Sequence, residues 1–158
     1  MSDYAIAELQ TLVRAPMMTG LSVAMVDMGL VSTAIEAAAM SKQISGAAQK
    51  YPTNSIIQAA FAEETLRSGD VKLEKPDVKP EDVRSGAMID GAIADINAAL
   101  AVVEGRASAE EVAEYKQFIY ACGVAVAEAA GSGLFGTGNK VSQAEAEALS
   151  RFKVALGL

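Results

Sequence analysis

Apolar residues recur along most of the chain at steps of three and four, which is the spacing of one face of an α-helix. The clearest run lies in the second half and consists of Ile89, Ile93, Ile96, Leu100 and Val103. A second run follows Gly105 and consists of Val112, Tyr115, Ile119, Cys122 and Val126. Alternation of the kind seen in strands is limited to Val71 and Leu73. The pattern predicts an all-α bundle in which these two runs form an antiparallel helical hairpin.

Helix starts are marked by three capping boxes, each a Ser or Thr followed three residues later by Glu. They lie at Thr33 to Glu36, Ser108 to Glu111 and Ser142 to Glu145. Thr53 or Asn54 is placed to cap a helix that carries apolar residues from Ile56 to Leu66. We therefore expect helices to begin at each of these four points.

Prolines predict further boundaries. A first helix from Asp3 to Val13 is expected to break or restart at Pro16, because proline lacks the amide donor and crowds the preceding turn. The next helix then carries the apolar residues Met17 to Met28. Pro80 suits the first turn of the helix that runs on to Val103. Together the boundaries predict a compact bundle of about seven helices.

Residues 68–79 are rich in charge and contain little that can be buried, so we interpret them as a linker within a single domain, residues 1–158. The halves are then residues 1–67 and 80–158. In each half an Ala/Val-rich helix with one acid near its end reaches glycine and is followed by a capped helix, at Val23 to Glu36 and at Val124 to Glu145. This suggests two pseudo-symmetric halves; chance similarity of Ala/Val-rich helices is the alternative.

Composition excludes several kinds of chemistry. The 158 residues include no His and one Cys, so an internal disulfide, a Ser-His-Asp triad and an imidazole metal site are all excluded. Cys122 is interpreted as a small buried apolar residue. The net charge of −7 argues against nucleic-acid binding. The N-terminus is acidic, and Asp27 and Glu36 interrupt the apolar stretch 15–41, so we expect a cytoplasmic protein with no transmembrane segment.

Two carboxylates stand out, because Asp27 and Glu128 have mainly apolar helical neighbours and a buried carboxylate must be paired, metal-bound or protonated. A divalent cation such as Ca²⁺ or Mg²⁺ is the cofactor that carboxylates would suit. The candidate metal ligands are Asp27, Glu36, Glu128 and Glu145; the alternative is no cofactor and a solvated position for each acid. The acids at positions 110, 111 and 114 are interpreted as a solvated first turn that complements the helix dipole.

The glycine-rich segment Gly131 to Lys140 matches a dinucleotide fingerprint in its first six residues, but it follows a helix rather than a strand. We interpret it as a connector that offers at most an anion or partner site, with Phe135, Gly138 and Lys140 as its candidate residues. Five methionines are concentrated in residues 17–40, where core packing is the favoured interpretation and a binding groove or a copper(I) site are the alternatives.

At Val124 to Gly131, Val141 to Glu145 and Ala155 to Leu158 the chain resembles the tellurite-resistance TerB-like helical domains. A weaker copy lies at Val23 to Glu36. The resemblance implies a compact pseudo-symmetric bundle, a stress-response or membrane-linked setting and a link to metal binding. Where the family has an Asp-Gly turn, this chain has Asp27-Met28-Gly29 in one half and Ala129-Ala130-Gly131 in the other. This difference weakens the expectation of a bound cation.

The sequence thus favours a non-enzymatic helical binding or interaction protein in a stress-related setting. Its binding partner would be another protein or a second copy of itself. The alternative is a bundle that binds a small apolar ligand or a lipid. A carboxylate-dependent metal-binding protein is the least favoured of the three hypotheses, since the chain has no Glu-x-x-His pair.

Overall fold

The computed structural model describes residues 3–26, 33–72, 81, 86–131 and 141–158, and within these the regular elements are α-helices, with no strand. The predicted all-α class is confirmed. None of these helices is both long enough and apolar enough to span a membrane. The helices are α1 (Ile6–Val26), α2 (Thr33–Lys50), α3 (Ser55–Phe61), α4 (Glu63–Ser68), α5 (Ala87–Val103), α6 (Ala109–Gly131) and α7 (Gln143–Leu156).

Helix α1 lies at the centre of the bundle, with its most extensive contacts to α5 and α6 and further contacts to α7, α3 and α2. Helix α2 packs mainly on α6, with further contacts to α3 and α1. Three aromatic residues, Phe61, Phe118 and Tyr51, meet edge to face where α3, α6 and the end of α2 converge, and the Phe61 and Phe118 ring centroids are 4.9 Å apart. The predicted antiparallel hairpin of α5 and α6 is not formed, which corrects the sequence prediction: both helices contribute buried residues to the core, but each packs extensively on α1 and hardly on the other.

Pro16 does not break the first helix, which corrects the sequence prediction. Helix α1 continues through Pro16, which is buried, to Val26. A proline at this position leaves the carbonyl of Leu12 without its usual amide donor one turn later. The hydroxyl of Tyr115 in α6 donates to that carbonyl oxygen at 2.6 Å. A contact between two helices thus replaces the hydrogen bond that the proline removes.

Two other predicted helices are interrupted. The helix expected from Asn54 to Leu66 divides at Ala62, whose extended backbone (ψ 143°) separates α3 from α4. The helix expected from Pro80 is interrupted at Gly86, which has a φ of 74°, and α5 begins only at Ala87. Pro80 itself lies outside the described residues. Since a left-handed residue cannot continue a right-handed helix, Gly86 sets the start of α5.

The predicted caps are present wherever the structure describes them. The Asn54 side chain accepts a hydrogen bond from the amide of Ile57 at 3.0 Å. Ser142 and Glu145 form the reciprocal capping box at the start of α7. The described part of α2 starts at Thr33, so the predicted helix start there is not tested, and the side chains of residues 33–36 lie outside the described part.

Small residues let α1 approach its neighbours closely. A Cβ added at Gly123 in α6 would lie 3.0 Å from Cδ2 of Leu149 and 3.3 Å from Cγ2 of Thr19. A Cβ at Gly20 in α1 would lie 2.6 Å from the sulfur of Met40 in α2. The absence of side chains at these two glycines therefore sets the distance between α1, α6, α7 and α2.

Candidate functional site

The predicted metal ligands are not brought together in the described part of the structure. Glu128 is exposed on α6. Glu145 is 4% exposed, and its carboxylate accepts a hydrogen bond from the amide of Ser142 at 2.8 Å. Asp27 and the side chain of Glu36 lie outside the described residues. Among those that are described, no group of three or more Asp, Glu, His or Cys side chains is arranged to hold a metal ion.

The candidate loop residues Phe135, Gly138 and Lys140 also lie outside the described residues, as does Met28. The other four methionines of the region pack on the core: Met18 is buried, and Met17, Met25 and Met40 are partly buried against it. Cys122 is fully buried, as predicted, and burial raises the pKa of its thiol to about 12. A thiol held protonated in this way is a poor nucleophile at neutral pH.

A polar cluster around the buried Asn54, which we call the Asn54 cluster, joins the starts of α3 and α6. It consists of Asn54, Ser55, Ser108, Glu111 and Glu114. The amide nitrogen of the fully buried Asn54 side chain donates to the carbonyl of Glu111 at 2.9 Å and to the carboxylate of Glu114 at 2.8 Å. Its oxygen accepts from the amide of Ile57. Both donor hydrogens and the acceptor of this side chain are thus used within the fold.

The carboxylate of Glu111 caps two helices at once. One oxygen accepts from the amide of Ser55 at 2.9 Å and the other from the amide of Ser108, also at 2.9 Å. Hydrogen bonding by the Ser55 side chain, and then by the backbone amides of Ser108 and Ser55, lowers the pKa of Glu111 to about 2. The interpretation of Glu111 and Glu114 as part of a merely solvated first turn is therefore incomplete, because both side chains bridge to residues almost sixty positions away.

An open groove of about 820 Å³ lies beside this cluster, and we call it the N-terminal groove. It is lined by residues of the N-terminal segment and α1, of α3 and α4, of the segment that follows α4, and of the α5–α6 turn: Asp3, Tyr4, Ile6, Leu9, Ser55, Gln58, Ala59, Ala62, Glu64, Thr65, Ser68, Asp70, Val71 and Arg106. Tyr4, Leu9 and Val71 are buried, whereas Ile6 is 57% exposed. The groove thus combines a packed apolar base with an accessible apolar side chain.

Arg106 holds the N-terminal wall of the groove in place. Its guanidinium lies 2.7 Å from the Glu8 carboxylate, donates to the backbone carbonyl of Asp3 and stacks over the Tyr4 ring with 4.4 Å between Cζ and the ring centroid. Hydrogen bonding from the amide of Ala5, and then Arg106, lowers the pKa of Glu8. One side chain from the α5–α6 turn therefore fixes three residues of the N-terminal segment.

A side-chain amide fixes the wall that follows α4. The side-chain amide of Gln10 donates to the backbone carbonyl of Lys72 at 2.6 Å and accepts from the backbone amide of Lys72 at 2.7 Å. These two hydrogen bonds resemble those between paired β-strands. Val71, next to it, is buried. Val71, one of the two alternating apolar residues of the charged segment, therefore packs on the core, while Leu73 lies outside the described residues.

Sequence reasoning missed this groove because its walls are joined by residues distant in the chain. Arg106 and Asp3 are 103 positions apart, and Gln10 and Lys72 are 62 apart. Neither Arg106 nor Gln10 belongs to a motif. The one available signal was Arg106 itself, a cation directly after the Gly105 turn in an acidic chain.

Comparisons of the chain with protein-family models, with curated proteins and with solved structures give no match.

Proposed function

We propose that the chain is a non-enzymatic helical interaction domain and that the N-terminal groove is its binding surface for a partner protein. The observation that carries the proposal is the groove itself, with about 820 Å³ of space beside the exposed Ile6. A space of this size accommodates several side chains of a partner segment. Walls that are already held by Arg106 and Gln10 reduce the ordering cost of binding, since little conformational freedom is left to lose.

The polar side chains of the groove support binding rather than catalysis. The Thr65 hydroxyl donates to the carbonyl of Ala59 at 3.0 Å, and the Ser68 hydroxyl donates to the carbonyl of Thr65 at 2.9 Å. A hydroxyl that donates to a backbone carbonyl is not donating to a base, and an activated nucleophile needs such a base to remove its proton. The chain also has no histidine to serve as that base.

The test is affinity capture with a variant that fills the groove without changing charge. Ala62 lines the groove between α3 and α4, and we expect Ala62→Phe to abolish capture of any partner that binds there. The matched control is Ala113→Phe at an exposed position of α6 outside the groove, which should leave capture unchanged. Circular dichroism of both variants checks that the fold is kept. A partner captured equally well by all three proteins contradicts the proposed surface.

The stress-related setting and the pseudo-symmetric halves belong to the same proposal, and the resemblance of Val124 to Gly131 and Val141 to Glu145 to TerB-like domains supports them. If the setting is right, a host strain that lacks the protein grows more slowly under tellurite, and the wild-type chain restores growth. Growth that does not depend on the protein under this stress contradicts the setting but not the binding surface.

A further inference from the structure

The charged residues that line the N-terminal groove are mainly acidic. They comprise three carboxylates, Asp3, Glu64 and Asp70, and one guanidinium, Arg106. Arg106 is paired with Glu8, which lies outside the lining, so its charge is already balanced. The lining therefore carries more negative than positive charge. A cation that approaches the groove meets this excess of carboxylates over guanidinium groups.

The three acids come from separate parts of the wall. Asp3 belongs to the N-terminal segment, Glu64 to the first turn of α4 and Asp70 to the segment that follows α4. The fold brings them around one space that also holds the exposed Ile6. Acids on the wall and an apolar side chain within reach of the same ligand are complementary to a segment that carries both cationic and apolar side chains.

We infer that the N-terminal groove binds a basic, partly apolar segment of a partner protein. This inference rests on the proposed function and adds the chemistry of the occupant: lysine or arginine side chains meet Asp3, Glu64 and Asp70, while an aliphatic side chain packs beside Ile6. Because the carboxylates lie in an open groove, they supply specificity and association rate, and the apolar contact supplies much of the affinity.

The probes are three short labelled peptides of equal length: one of lysine and leucine, one in which glutamate replaces every lysine, and one in which serine replaces every leucine. Fluorescence anisotropy should show binding of the first peptide only. Its affinity should fall by about tenfold or more between about 0.05 and about 0.5 M salt, since ions screen contacts of exposed charges. Equal binding of the glutamate peptide overturns the inference.

The charge contribution is isolated by a triple variant, Asp3→Asn, Glu64→Gln and Asp70→Asn, which keeps size and removes three negative charges. Its matched control removes three exposed acids outside the groove, Glu110→Gln, Glu128→Gln and Glu147→Gln. We expect about tenfold weaker binding of the lysine–leucine peptide to the first variant and little change for the second. Equal weakening in both shows only the effect of net charge and overturns the inference.

The two proposals fail in different ways. If the lysine–leucine peptide does not bind at low salt, the inference of a basic partner segment is wrong. A captured partner that is lost with Ala62→Phe would still support the groove as the binding surface. If the peptide binds and Ala62→Phe does not weaken it, the peptide binds elsewhere and the inference is wrong, whereas the groove as a binding surface is judged by partner capture with Ala62→Phe.

Discussion

At the scale of single residues, Pro16 and Tyr115 act as a pair. The proline leaves the Leu12 carbonyl without an amide donor inside a buried part of α1, and the Tyr115 hydroxyl donates to that carbonyl at 2.6 Å. Both residues are buried, so water cannot take over the contact readily. Burial also raises the pKa of Tyr115, which keeps the hydroxyl protonated and therefore a donor.

We expect Tyr115→Phe to lower the free energy of unfolding by about 1–3 kcal/mol, because it leaves a buried carbonyl unsatisfied. Urea denaturation measures this difference. In the background of Pro16→Ala the amide of the new alanine can donate to Leu12, so the same Tyr115→Phe change should cost clearly less. Equal costs in the two backgrounds would show that the hydroxyl does not compensate for the proline.

At the scale of helices, the distance between packed helices depends on the positions of their glycines. Gly91 and Gly123 both lie inside helices, α5 and α6, but a Cβ at Gly91 meets nothing within 4 Å whereas one at Gly123 meets α7 and α1. Alanine favours helix over glycine by about 0.5–1 kcal/mol at either position. Only at Gly123 does the added carbon also force neighbouring side chains to move.

We therefore expect alanine substitutions at Gly91 and Gly123 to change the melting temperature in opposite directions. Gly91→Ala should raise the melting temperature by a few degrees, in line with the propensity gain of about 0.5–1 kcal/mol. Gly123→Ala should lower it, because overpacking costs about 1–3 kcal/mol and exceeds the same gain. Thermal unfolding followed by circular dichroism compares the two. A rise for Gly123→Ala would mean that α7 can move away without cost.

Helices were predictable from sequence wherever a local signal controls them. The capping box of Ser142 and Glu145 and the cap at Asn54 depend on residues within three positions of one another, so their start points were predicted correctly. The break at Pro16 was predicted wrongly because the residue that compensates for it is almost a hundred positions away. The interruption at Ala62 had no local signal, since alanine favours helix and the extended backbone there follows from packing.

At the scale of the whole molecule, the candidate site was less predictable than the fold for the same reason. The predicted ligands Glu128 and Glu145 lie on α6 and α7, one exposed and the other in a capping box. The groove instead depends on Arg106 and Gln10, whose partners are distant in sequence. Chemical type alone cannot indicate which of twenty acids will line one space.

Arg106 joins the α5–α6 turn to the N-terminal segment, so its loss should act locally on that segment. We expect Arg106→Ala to reduce hydrogen-exchange protection of residues 5–9 while protection of α6 stays unchanged. Arg106→Lys is the control for charge, and it should restore protection only in part, because an ammonium cannot reproduce the forked contacts and ring stacking of the guanidinium. Unchanged protection in Arg106→Ala would mean that the segment is held by Tyr4 and Leu9 alone.

Glu111 links the stability of the whole molecule to pH. Its pKa is about 2 in the fold, below its ordinary value of 4.5, so the unfolded chain holds this proton more tightly. The stability that Glu111 contributes is therefore fully present above about pH 4.5 and is lost as the pH falls toward about 2.

In urea denaturation across this window, Glu111→Gln should be less stable than wild type at pH 6, and the difference should shrink at pH 2.5. The control is Glu110→Gln, at the exposed neighbouring position, which should follow the wild-type curve. A difference for Glu111→Gln that stays constant from pH 6 to pH 2.5 would show that its effect comes from packing rather than from the charge that caps α3 and α6.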